Sequence, residues 1–113
     1  MHRNLGPGLL ESVYHTCLLY ELGVAGLTVE SEKRIPVIYK GIVMDCSYDL
    51  DLLVEGKVIV ELKCLEVVLA VHHAQLMTQL KLANKPVGLL LNFNVPIMKD
   101  GITRKLNRQA LNP

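Results

Sequence analysis

The sequence predicts a mixed α/β fold, with one central sheet flanked by helices. Three observations predict it: an apolar stripe at helical spacing near the N-terminus, three consecutive segments rich in β-branched residues, and a second helical pattern followed by a continuous apolar run. The strand after the second helix is expected to run parallel to a neighbour, because a helical crossover leads to it. The predicted order is therefore α-β-β-β-α-β, in a single domain that covers residues 1–113.

The first helix is predicted from about Leu9 to about Leu22, and Gly23 and Gly26 end it. Glu11 lies in its first turn, where a carboxylate is stabilised by the positive end of the helix dipole. That structural role alone would explain the residue. Tyr14 lies one turn later, and it is expected in the core with its hydroxyl at the rim.

Three extended segments follow this helix. The first is interpreted as two pieces, residues 27–32 and 35–39, and Pro36 indicates an edge strand or a strand start. A turn then leads into a long strand, from Ile42 to Val54. The third strand follows Glu55-Gly56 and ends near Lys63, so the three strands are expected to be antiparallel.

Four charged residues lie in or beside the apolar runs of the second and third strands: Asp49, Asp51, Glu61 and Lys63. Strands that are apolar on both faces belong in sheet interiors, where an unpaired charge is costly. These groups are therefore expected either to form a structural ion pair, between Lys63 and Asp51 or Glu61, or to bind a ligand. Buried ion pairs often add little net stability, so their presence needs another reason.

The length of the loop between these strands decides which side chains share a face. A two-residue turn would pair Asp51 with Val60 and place Asp51 and Glu61 on opposite faces. A three-residue loop over residues 54–56, with Gly56 in the left-handed conformation, would place Asp51 opposite Ile59 and Asp49 opposite Glu61, all on the face of Lys63. The glycine at the third loop position favours the odd loop.

The second helix is predicted from about Val71 to Asn84, with a polar stripe formed by His72, Gln75 and Gln79. Such a stripe is compatible with a solvated surface or with a site. A buried strand is expected over residues 87–91, then a loop, and after Gly101 a short basic helix.

The net charge says little about partners, whereas the apolar pattern excludes a membrane span. The net charge of +1 is lower than that of most dedicated nucleic-acid binders, and the basic residues near the C-terminus are interpreted as a solvated face. No apolar run reaches the ~20 residues of a membrane span, and no signal peptide is evident. Three cysteines without a CxxC pattern suggest free thiols in the cytoplasm. Because half of this small domain is hydrophobic, self-association into a homo-oligomer is expected.

These residues carry a resemblance to a known family. Asp51 followed by Glu61-Leu62-Lys63 resembles the motif of the PD-(D/E)xK nuclease superfamily, whose restriction-endonuclease-like core has the order α-β-β-β-α-β. Gly8, Glu11 and Tyr14 fit the pattern GxxExxY, and the surrounding segment resembles the bacterial and archaeal family of that name. The segment His72-His-Ala-Gln75-Leu is similar to its His-x-Ala-Gln-Leu segment.

The resemblance implies a Mg²⁺- or Mn²⁺-dependent nuclease or phosphodiesterase that acts on DNA or RNA. Asp51 and Glu61 would hold the metal together with the carbonyl of Leu62, since Mg²⁺ prefers oxygen ligands. Lys63 would orient or deprotonate the attacking water, or neutralise developing charge. Glu11 would reach a second metal ion or its water, and Gln75 would position phosphate or water. The implied nucleic-acid contacts are Tyr14, His72 and Gln79.

The chain departs from the family pattern in three places. Family members commonly begin with an additional helix, which is expected to be absent here because the chain starts at Met1. Gln79 stands where the exonuclease branch of the superfamily has a tyrosine, and Asp49 is an additional carboxylate. The alternative function is therefore a non-catalytic binding or oligomerisation module that retains the nuclease fold.

Overall fold

A computed structural model of the chain describes residues 1–111. Five strands form one sheet in the order β1-β2-β3-β4-β5, in which β3 and β4 are parallel and the other neighbours are antiparallel. The elements are α1 (His2–Leu5), α2 (Glu11–Val24), β1 (Val29–Tyr39), β2 (Ile42–Val54), β3 (Val58–Lys63), α3 (Ala70–Ala83), β4 (Val87–Asn92), a 3-10 helix (Met98–Gly101), β5 (Ile102–Leu106) and α4 (Arg108–Leu111).

The predicted α/β class and the predicted core order are confirmed, as is the parallel pairing of β4 after the helical crossover. The two pieces predicted within residues 27–39 form one strand, β1, despite Pro36. That proline is tolerated because β1 is the outermost strand of the sheet and its pairing with β2 changes register between Pro36 and Ile38.

The predicted basic helix after Gly101 is wrong for most of its length. Residues 102–106 form β5, which pairs antiparallel with β4 along the edge that β3 leaves open. The sequence of β5 alternates enough to be a strand, and pairing covers backbone groups of β4 that would otherwise be exposed. Of residues 102–111, only the four residues of α4 are helical.

The core consists of two buried clusters on opposite sides of the sheet. On the side of α2 lie Tyr14, Leu52, Val54, Val60, Leu62 and Phe93. On the side of α3 lie Leu50, Leu53, Ile59, Leu76, Leu80 and Leu90. The sheet is thus covered on both faces over its central strands, which explains why β3 and β4 read as continuous apolar runs.

Gly88 on β4 allows α3 to pack closely against the sheet. A Cβ atom on this residue would lie 2.8 Å from Cδ1 of Leu76 and 3.2 Å from Cδ1 of Leu80. These distances leave no space for a methyl group, so the glycine sets the distance between α3 and the sheet.

The outer halves of β1 and β2 extend beyond the rest of the sheet as a two-stranded arm, residues 35–48. Pairing of β2 with β3 is confined to Leu52–Val54, so the arm has no third strand among the described residues. Its large apolar side chains are exposed: Ile38, Tyr39, Ile42 and Val43 retain between 57% and 65% of their accessible surface.

Cys17, Cys46 and Cys64 are free thiols, as the sequence suggests. Within residues 1–111, no helix combines the length and apolarity that crossing a membrane requires.

Candidate active site

The loop between β2 and β3 has three residues, Glu55 to Lys57, because Val54 pairs with Val58. The predicted odd length and the left-handed conformation of Gly56 are confirmed. The predicted loop, residues 54–56, is wrong by one position, because Val54 still pairs with Val58. Within the observed loop, Glu55 also has a positive φ of 54°. Glu55 is held there by Thr28, whose N–H donates to Oε1 at 2.8 Å.

This register brings Asp51 and Glu61 together. The pairs Leu52–Val60 and Leu53–Ile59 make Asp51 and Glu61 the next opposing residues, whereas Ile59 was the expected partner of Asp51. The predicted proximity of Asp49 to Glu61 is also wrong. Asp49 instead lies 3.4 Å from Nε of Arg34 in an exposed ion pair.

At Asp51 the strands part, and carboxylates replace main-chain partners. The N–H of Asp51 donates to Oε1 of Glu61 at 3.1 Å, and the N–H of Leu62 donates to Oδ2 of Asp51 at 2.8 Å. On the other side of β2 the pair with Glu32 is missing from the register, and Glu32 has a φ of 52°. Two reciprocal hydrogen bonds thus fix both carboxylates where the ladder stops.

The two carboxylates form an electrostatically costly pair. Only 7% of Glu61 is exposed, and burial together with the negative charge of Asp51 raises its pKa from 4.5 to about 8. The positive charge of Lys63 lowers this pKa, but its effect is smaller. A cation between the carboxylates would offset both the cost of burying the charge of Glu61 and its repulsion by Asp51.

Lys63 lies at the end of β3 and forms no structural ion pair. Within residues 1–111 the salt bridges shorter than 4 Å are Lys33–Glu30 and Arg34–Asp49. The ion-pair explanation for Lys63 with Asp51 or Glu61 is therefore wrong.

Glu11, the first residue of α2, lies in the same electrostatic field. Burial and the charge of Asp51 raise its pKa, while Lys63 and His15 act in the opposite direction. Glu11, Asp51 and Leu62 line a cavity of about 150 Å³ on the α2 side of the parted strands.

The polar stripe of α3 borders the other side of the carboxylate pair. Gln75, Gln79 and His72 line a cavity of about 20 Å³ together with Glu61 and Lys63. Of the three, Gln75 is exposed. Nδ1 of His72 accepts the N–H of Leu69 at 2.9 Å and so caps the helix. Oε1 of Gln79 is buried and lacks a hydrogen-bond partner among residues 1–111.

Tyr14 lies in the core, with none of its surface exposed. Its hydroxyl donates to the carbonyl of Gly6 and accepts the N–H of Leu9, and its ring stacks on Phe93 with centroids 4.5 Å apart. This position is closed to a nucleic acid. Tyr14 instead fixes the loop that leads into Glu11.

Sequence reasoning missed His15. Its Nε2 lies 3.2 Å from the carbonyl oxygen of Asp51 and 3.3 Å from Oγ of Ser31. It also lines the cavity of Glu11 and Asp51. The available signal was its spacing of four residues from Glu11, which places both on one side of α2.

The residues present suit a hard divalent cation. Asp51 and Glu61 each use one carboxylate oxygen for a backbone N–H, so a second oxygen of each could bind a metal. The N–H of Leu62 points towards β2, and in an extended strand the carbonyl of the same residue points to the same side. Because no three His, Cys, Asp or Glu side chains of residues 1–111 converge on one point, this carbonyl would be needed as the third ligand.

The chain matches a known protein family over most of its length. The family model described as the PD-(D/E)XK nuclease superfamily matches residues 1–105. Comparisons with curated proteins and with solved structures gave no match.

Proposed function

The chain belongs to the PD-(D/E)XK nuclease superfamily, and on this premise we propose that it hydrolyses phosphodiester bonds of DNA or RNA with Mg²⁺ or Mn²⁺ bound by Asp51 and Glu61. The observation that carries the proposal is the carboxylate pair, fixed by reciprocal hydrogen bonds where the strands part. The whole chain would act as a single domain, because its five strands share one sheet.

Within the superfamily we assign the chain to the GxxExxY family. The hydrogen bonds of Tyr14 to Gly6 and Leu9 support this assignment by giving the spacing a physical purpose. The tyrosine anchors the turn before α2, and the first residue of that helix is Glu11.

Each proposed catalytic residue has a task that suits its position. When bound, Mg²⁺ supplies charge stabilisation for the phosphoryl oxygens and lowers the pKa of water. Lys63, which is free of carboxylate partners within residues 1–111, donates to a phosphoryl oxygen or orients the attacking water. Glu11 accepts a hydrogen bond from water on the α2 side, and the exposed amide of Gln75 donates to the phosphate from α3.

The proposal is tested by comparing the wild-type protein with Asp51→Asn and Lys63→Ala on labelled single- and double-stranded DNA and RNA, with Mg²⁺ or Mn²⁺. The asparagine side chain retains an oxygen that can accept the N–H of Leu62, so the fold should be preserved. Both variants are expected to lose activity by about 100-fold or more. The matched control is Asp49→Asn, which removes an exposed carboxylate two residues away and should retain activity.

Equal activity in all four proteins would overturn the catalytic assignment. Calorimetric titration with Mn²⁺ gives an independent answer. Binding that is lost in Asp51→Asn and kept in Asp49→Asn is the expected result.

The arm favours a second candidate function, a non-catalytic module that assembles with copies of itself. A two-stranded ribbon is marginally stable in water, and this one exposes apolar side chains such as Ile38 and Val43. A homo-oligomer would complete it with further strands. Light scattering should then show a dimer or larger species that Val43→Lys dissociates, and a monomer at all concentrations would refute self-association.

The cytoplasm is the proposed location. Three free thiols are stable in a reducing compartment, and exposed Cys46 would be prone to oxidation elsewhere.

A further inference from the structure

We propose that His15 is a positioning residue, whose imidazole holds the main chain of Asp51 and thereby orients the carboxylate for cation binding. This inference rests on the proposed function, since it concerns the same site. It adds a second residue from α2, one turn after Glu11, to the proposed centre.

The backbone of Asp51 needs a partner that the sheet does not provide. The pair of Asp51 with Glu32 is missing from the β1–β2 register, and pairing with β3 ends at Leu52. The N–H of Asp51 is taken by Glu61, and its carbonyl lies 3.2 Å from Nε2 of His15. The imidazole therefore takes the place of a strand partner at a residue whose ladder pairing is missing on both sides.

The contact also determines the tautomer of His15. A carbonyl oxygen only accepts hydrogen bonds, so Nε2 must carry the proton that it donates to Asp51. Oγ of Ser31, at 3.3 Å from the same nitrogen, is then a second and weaker acceptor of that proton. His15 thus links β1, α2 and β2 at a single point.

Holding the carbonyl has a consequence for the carboxylate of the same residue. Oδ2 of Asp51 accepts the N–H of Leu62 at 2.8 Å, so the side chain is correctly placed only while the backbone remains still. Without His15, a carbonyl freed from its donor would rotate towards solvent in the adjoining cavity. Residues that orient metal ligands in this way commonly change metal affinity by 10–100-fold, as an order of magnitude.

Two substitutions separate positioning from packing. His15→Gln retains an amide N–H donor near the position of Nε2, whereas His15→Leu fills similar space without a donor. His15→Leu is expected to weaken Mn²⁺ binding roughly tenfold or more in calorimetric titration, and His15→Gln should restore most of the affinity. Thr16→Leu, an apolar substitution at the neighbouring exposed position of α2, is the control and should bind as wild type.

A second measurement needs neither metal nor activity. Hydrogen exchange of the Leu62 amide, read by NMR in metal-free protein, should be roughly fivefold faster or more in His15→Leu and close to wild type in His15→Gln. Unchanged exchange in His15→Leu, or equal acceleration in both variants, would overturn the positioning role. If the wild-type protein binds no Mn²⁺, the proposed function fails, but the exchange result still decides the role of His15.

Discussion

Replacing Glu61 by glutamine should stabilise the metal-free protein at neutral and alkaline pH. Glu61 has a pKa of about 8 in the folded protein, against 4.5 for an unperturbed glutamate. Between these values the folded protein retains a proton that the unfolded chain releases. Stability from this group is fully present below pH 4.5 and is lost as pH rises to about 8. Between these two pH values the free energy of unfolding falls by about 1.4 kcal/mol per pH unit. The accumulated loss is roughly 3 kcal/mol at pH 7 and approaches about 5 kcal/mol above pH 8.

The assay is urea denaturation in EDTA at pH values from about 5 to about 9, followed by circular dichroism. The glutamine introduced by Glu61→Gln carries no titrating proton, and its amide oxygen can still accept the N–H of Asp51. The difference in unfolding free energy between variant and wild type should therefore grow with pH. Glu66→Gln makes the same chemical change at an exposed residue outside the site and serves as the control.

Saturating Mn²⁺ should reverse the order of stability, because a bound cation favours the ionised carboxylate and binds the wild-type protein alone. The reasoning is refuted if the difference between Glu61→Gln and wild type does not vary with pH in EDTA. It is equally refuted if Glu66→Gln shows the same dependence.

Two further predictions concern residues that support the site. Gly88→Ala should cost about 1–3 kcal/mol of unfolding free energy in urea titrations and reduce activity. The reason is that its methyl group would push Leu76, and with it α3, away from the sheet. The control is Gly23→Ala, which lies within α2 with open space around it and should be neutral or stabilising in the same titrations. Tyr14→Phe should cost about 1–2 kcal/mol in thermal unfolding, because it removes both hydrogen bonds of the hydroxyl. Tyr20→Phe, at an exposed tyrosine, is the control and should have little effect. Equal melting temperatures of the two variants would contradict the anchoring role of Tyr14.

Periodicity was sufficient for the elements that bury a regular face. The long strand from Ile42 to Val54 has the predicted bounds, and α3 differs from its prediction by one residue at each end. The strand β5 was missed because its pairing with β4 is not encoded in its own five residues. Three of those residues are polar, and their basic character was given too much weight.

The hairpin register shows a different kind of error. Side chains of a strand alternate with a period of two, so a shift of two residues leaves every side chain on its predicted face. The sequence therefore indicated that the loop is odd but could not distinguish Ile59 from Glu61 as the partner of Asp51. The difference was decided by Glu55, which adopts a positive φ through its contacts with Thr28.

The predicted site residues fall into two groups in the structure. Glu11 and Asp51 line one cavity, and Glu61, Lys63 and Gln75 line another on the other side of the carboxylate pair. The nucleic-acid contacts of Tyr14 and Gln79 were implied by the resemblance, and a sequence motif does not reveal that Tyr14 and Oε1 of Gln79 are buried. His15 was overlooked because a single histidine on a helix indicates nothing until its partner is known.

The parting of β2 and β3 at Asp51 also determines which site residues are constrained by folding. Removing the side-chain oxygens of Asp51 or Glu61 leaves a backbone N–H without its acceptor, so folding requires an acceptor at both positions. Lys63 carries no such constraint, since within residues 1–111 it forms no ion pair. Under the proposed function, a descendant freed from selection for hydrolysis would therefore keep an acceptor at these two positions, as the carboxylate or as its amide, and would replace the lysine first. Under the proposed function, the lysine is thus the site residue that chemistry alone constrains.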